Sequence, residues 1–79
     1  MDYKEVLDQV QDIFQDILDN DAIVLTDHTT ANDVDDWDSL THIQLVVSIE
    51  KHFKIKFTSK EILSWKNVGE MIDDIKAKL

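Results

Sequence analysis

The chemistry legible in this chain converges on Trp37-Asp38-Ser39-Leu40, which sets a serine hydroxyl at the head of an apolar helical run. His42 follows Ser39 by one helical turn, so a Ser39/His42 hydrolase with Asp38 as acid is one reading. It is the weaker one. Nucleophile, base and orienting acid usually come from distant segments, no Gly-x-Ser-x-Gly elbow is present, and Gly69 is the only glycine. Asp33, Asp35 and Asp36 begin like a calcium loop, but its sixth position falls on Asp38 where glycine is needed, and its twelfth on Gln44 where a bidentate glutamate is needed. The chain has no cysteine, and His28, His42 and His52 form no ligand repeat, so no metal site is expected. Any thiol this protein uses must be attached to it.

Four elements must position that serine. Tyr3, Val6, Leu7, Val10, Ile13, Phe14, Ile17 and Leu18 recur at three- and four-residue steps, the stripe of an amphipathic helix. Asp2 and Glu5 suit its start, while Asp16 and Asp19 oppose the dipole and predict an end near Asn20. Residues 20–38 form a long connection. Ala22 to Leu25, Val34 and Trp37 would pin it to the core, and Thr26, Asp27, Thr29, Asn32 and Asp33 would make its turns. Ile23 to Leu25 as a strand would lack a partner run. Asp38 would cap a second helix from Ser39 to Phe53, with Leu40, Ile43, Val46, Val47, Ile49 and Phe53 as its apolar surface, and this helix is expected to be central and most buried. Thr58…Glu61 and Asn67…Glu70 have capping-box spacing. The first precedes a helix of one or two turns, the second a final helix through Met71, Ile72 and Ile75. The expected fold is all-α, a small four-helix bundle with a long first connection and a short third helix, in one domain spanning 1–79.

A domain this small buries only about 60% of its unfolded surface and has little room for an enclosed active site. The net charge of −9 is uneven: residues 1–49 hold twelve acids against Lys4 alone, residues 50–79 five acids against seven lysines. That field disfavours nucleic acid and anionic lipid and favours basic protein partners. No stretch approaches the roughly 18 apolar residues of a membrane span, and the N-terminus has no leader pattern. A cytoplasmic monomer is expected.

The acidic loop, Asp38-Ser39-Leu40, the helix Ile43 to Phe53, the short capped helix after Phe57 and the closing helix together resemble an acyl carrier protein over most of the chain. The resemblance implies that Ser39 receives 4'-phosphopantetheine from coenzyme A, the thiol of which then holds an acyl group as a thioester. The chain would be a carrier and not an enzyme. Its partners would be a phosphopantetheinyl transferase and acyl-loading and acyl-accepting enzymes, which would read Asp36, Asp38, Leu40, Thr41 and Gln44. Val47, Ile62 and Trp65 would lie beside the arm or its cargo, though Trp65 filling the core is the preferred reading, and Val46, Val47 and Ile62 are core residues first. The positive helix end and its free N–H groups would suit the phosphate. The chain departs from the family in one respect: residues 39–53 hold a single acid, Glu50, where fatty-acid carriers are rich in acids. That points to docking through the loop and polar or apolar contacts, and toward a specialised polyketide, modified-sugar or peptide-type pathway over bulk fatty-acid synthesis. The competing reading is a carrier-like helical interaction domain that is never modified.

Overall fold

A computed structural model describes residues 2–79. Four α-helices follow in order: α1 (Tyr3–Ile17), α2 (Ser39–Phe53), α3 (Ser59–Ser64) and α4 (Val68–Lys78), with one 3-10 turn at Ala31–Asp33 before α2. No strand occurs among the described residues. The order is the one expected from the sequence, with α2 in its expected bounds and α3 short, while α1 stops three residues before Asn20.

Asp2 caps α1 by accepting from the Glu5 N–H at 2.9 Å, and the helix buries Val6, Val10 and Phe14. It ends at Ile17, because Asp19 takes a left-handed conformation (φ 51°), which a short polar side chain tolerates. α1 packs against both α2 and α4 and is the hub of the bundle. This corrects the expectation that α2 is the central and most buried helix: α1 is central, and α4 is the most buried, with five of its eleven residues inside against four of fifteen in α2. α2 buries Leu45, Val46, Ile49 and Phe53, while Leu40, Ile43 and Val47 are 68%, 63% and 41% exposed. Its apolar residues cover more than one face, and only one face meets the core.

The long connection runs over this core in an extended, alternating form. Ile23 and Leu25 are buried and Val24 is exposed. A strand would need a partner strand; here two glutamines of α1 take that part. Gln11 Oε1 accepts from the Leu25 N–H at 2.9 Å, and Gln15 Nε2 donates to the Ile23 carbonyl at 2.9 Å. Further along, the N–H groups of Val68 and Gly69 donate to the carbonyls of Thr29 (2.8 Å) and Asp27 (2.9 Å). The first turn of α4 is thereby satisfied by the loop, whose own carbonyls are satisfied in return.

That contact explains the single glycine. A Cβ on Gly69 would sit 2.7 Å from the Asp27 carbonyl oxygen, so the residue is needed for close approach of two backbones. The two expected capping boxes differ. Thr58 and Glu61 bond reciprocally, at 3.2 and 2.9 Å. Asn67 accepts from the Glu70 N–H at 3.0 Å with no return bond from the Glu70 side chain.

Candidate functional site

Asp38 holds an extended conformation, and its Oδ1 accepts from the N–H groups of Leu40 (3.0 Å) and Thr41 (2.9 Å). Thr41 Oγ1 accepts from the Asp38 N–H at 2.8 Å and donates back to the Asp36 carbonyl at 2.9 Å. The Thr41 N–H bond, helped by the Thr41 hydroxyl and the Leu40 N–H, holds the Asp38 carboxyl below its ordinary pKa, against some opposing desolvation. Two first-turn donors expected to be free for a phosphate are therefore already taken by Asp38. Thr41, expected as a recognition residue, is half-buried and commits its hydroxyl to this cap.

Ser39 follows at the first helical position and is exposed. Beneath it Trp37 is buried, edge-on to Phe14 at 4.9 Å between ring centres, so the end of the long loop is nailed to α1. Trp37 Nε1 donates to His42 Nδ1 at 3.0 Å. An indole N–H can only donate, so Nδ1 presents its lone pair and the neutral ring carries its proton on Nε2. Burial also pushes the His42 pKa down. The arrangement does not make His42 the base of a hydrolytic pair: its Nδ1 is held by a donor rather than oriented by an acid.

A groove of about 530 Å³ opens at Ser39. Its walls include Trp37, His42 and Ile43 on one side and Ile62, Trp65 and Met71 on the other. Trp65 lies edge-on to Phe57 at 4.9 Å and faces the His42 ring at 6.2 Å, and its indole N–H donates to the Asp74 carboxylate. It is half-buried and both packs on the core and walls the groove, so the expectation that it fills the core is met only in part. Ile62, expected as a core residue first, is half-buried and walls the groove but is not among the hydrophobics packed on the core. Val46 is buried as expected; Val47 is neither core nor groove wall and stands on the outer face of α2.

Leu40, Ile43, Gln44 and Val47, spaced one and two turns apart, form an exposed stripe on α2. It carries no acid, since Glu50 lies further along and its Oε2 accepts from the Phe57 N–H at 2.8 Å. Asp36 is exposed beside it, whereas the Asp33 carboxylate closes the 3-10 turn by accepting from the Thr30 N–H at 2.9 Å. Among the described residues no group of three His, Cys, Asp or Glu is placed to hold a metal ion. Sequence reasoning missed His42 as a groove wall and Lys66 as the cation beside it. The three-residue step from Ser39 was a signal for the first; nothing in the spacing pointed to the second.

Residues 8–75 match the family described as the phosphopantetheine attachment site. The solution NMR structure of a holo acyl carrier protein from Geobacter metallireducens is 49% identical, covers 92% of this chain with 84% of its own length, and superposes with a TM-score of 0.87. The chain belongs to the phosphopantetheine-attachment family. Within it the fold and function are those of an acyl carrier protein, with 4'-phosphopantetheine as its covalent cofactor. That function entails work with enzymes, and among the described residues no helix is long and apolar enough to cross a membrane.

Proposed function

We propose that Ser39 is the attachment residue and that this chain is a non-catalytic carrier. The observation that carries this is the exposure of Ser39 at the capped start of α2, where its hydroxyl bonds to no other side chain among the described residues. A transferase can therefore reach Oγ without unfolding anything. Oγ forms the bond to the pantetheine-bearing phosphorus of coenzyme A as the pyrophosphate P–O bond breaks and adenosine 3',5'-bisphosphate leaves, and the serine proton goes to a base that the transferase must supply, because His42 is turned to Trp37. When attached, the arm supplies a thiol that holds an acyl group as a thioester. The cap keeps the serine on a rigid helix end, and the groove gives an apolar surface onto which arm and cargo can fold.

Partner enzymes meet Asp36, Asp38 and the stripe of Leu40, Ile43, Gln44 and Val47 in this reading. Supporting it, Leu40, Ile43 and Val47 are apolar and solvent-facing, and the one polar member, Gln44, is uncharged, so no acid lies within the stripe. Partners with a matching apolar patch are favoured over those with a basic groove, in line with a specialised pathway, and the protein would act as a cytoplasmic monomer. The test is intact mass after incubation with coenzyme A, magnesium and a broad-specificity phosphopantetheinyl transferase. Wild type gains one phosphopantetheinyl group and Ser39→Ala gains none. A gain that survives Ser39→Ala overturns the assignment, and no gain in either favours an unmodified interaction domain.

A further inference from the structure

We propose that His42 is a positioning residue for the base of the prosthetic arm, its Nε2–H donating to an oxygen of the phosphodiester or of the adjoining pantoyl segment. The proposal rests on Ser39 being the attachment residue. Three observations carry it. The bond from Trp37 Nε1 to His42 Nδ1 fixes which ring nitrogen bears the proton, so the neutral ring offers one N–H donor. That nitrogen has no hydrogen-bond partner among the described residues, although the ring is half-buried in a wall made mainly of Ile43, Ile62, Trp65 and Met71. A donor in such surroundings gains more from an acceptor than one in open water.

The third observation is placement. Ser39 and His42 stand one turn apart on α2 and line the same groove. Helical side chains lean toward the N-terminus, which brings a residue at this spacing back over the first turn. An arm leaving Ser39 into the groove passes His42 before it reaches Ile62 or Met71. The helix end is less able to hold the phosphate unaided, since Asp38 already occupies the N–H groups of Leu40 and Thr41. Among the described residues Lys66 is the one lysine lining the groove, and its unspecific charge is opposed by the Asp38 carboxylate that lines it too. His42 supplies direction. It would turn the arm inward over the groove, and releasing this bond would let the arm swing out to a partner.

The experiment is imidazole ¹H–¹⁵N NMR on the intact protein before and after arm attachment, with intact mass confirming one group and Ser39→Ala as the unmodified reference. The expected result is that the Nε2 and Hε2 resonances of His42 shift and Hε2 exchanges more slowly with water in the holo form, while those of His28 and His52 stay in place. The ³¹P resonance of holo His42→Leu separates the two acceptors: it moves if the phosphodiester accepts and stays if the pantoyl segment does. Where it moves, His42→Gln, which keeps an acceptor for Trp37 and an N–H donor, should restore the wild-type ³¹P position. A mass gain at Ser39 with unchanged His42 resonances overturns the proposal and leaves the attachment site intact. A protein that gains no mass, or gains it elsewhere than Ser39, overturns both.

Discussion

Asp38 and Thr41 build the same helix cap but differ in what they leave exposed to solvent. Asp38 accepts two backbone N–H bonds and keeps an exposed carboxylate, so it both starts α2 and shows a charge to solvent. Its pKa is lowered in the fold, so the stability it adds is present above its ordinary value of 3.8 and is lost as pH falls through the lower folded value. Asp38→Ala should lower the urea midpoint at pH 7 and have much less effect at a pH below the folded pKa, where the wild-type carboxyl is itself protonated and its charge is already lost. Equal losses at both pH values would show that the carboxylate charge is not what matters. His42 behaves with the same sign for a different reason. Burial lowers its pKa, so its contribution is intact above 6.5 and declines as pH falls through the folded value, when a proton on Nδ1 would face the Trp37 N–H. His42→Gln should flatten the stability change between pH 7 and 5 relative to wild type. Ser39 and Asp38 were legible from four consecutive residues, because capping is local chemistry. The partner of His42 was not, since the direction of an imidazole depends on what packs beside it.

At the scale of elements, amphipathic spacing and capping residues gave all four helices, with the bounds of α2 and the starts of the others, but not which apolar residues face inward. Leu45 was left out of the expected apolar surface of α2 and is fully buried, while Leu40, Ile43 and Val47 were included and stand in solvent. A helix this rich in apolar residues has two candidate faces, and only the position of α1 chooses between them. Leu45→Ala should therefore cost about 2–5 kcal/mol of stability, and Val47→Ala about 0.5 kcal/mol or less, as read from urea unfolding. If both cost the same, the assignment of faces is wrong. Gly69 gives a sharper reversal. Helix propensity alone favours Gly69→Ala by about 1 kcal/mol, but the close Asp27 carbonyl makes overpacking the larger effect, a net loss of about 1–3 kcal/mol. A stabilised Gly69→Ala protein would rule out that backbone contact. Residues 20–38 read as a loop because their hydrogen-bond partners, Gln11 and Gln15, lie on another element, and the absence of a second strand run was correctly decisive.

Across the whole molecule, α3 is the element with the fewest ties. It is six residues long, buries no residue fully, and is held by the Thr58 and Glu61 cap, the Trp65 bond to Asp74 and the ion pair of Glu61 with Lys78 at 2.9 Å. Lys78 also lies 5.7 Å above the Phe57 ring. Because α3 walls the groove, loosening these ties should open it. Lys78→Ala combined with Asp74→Ala should speed amide exchange in α3 while leaving α1 and α2 protected; uniform acceleration would instead mean that the fold as a whole is destabilised. Length, charge distribution, capping residues and helical periods are properties of neighbours along the chain, and they determined the all-α class, the order of four helices, the long connection and the serine at the head of α2. Through those same residues they also pointed to the family. Tertiary structure decided what depends on approach between distant segments: that α1 is the hub, that Gly69 makes room for Asp27, that α2 turns an apolar face outward, and that Trp37, His42 and Trp65 meet around one groove. The physical reason is that periodicity records where a side chain can point along its own helix, while burial and hydrogen-bond partners are set by whatever other helix or loop arrives there.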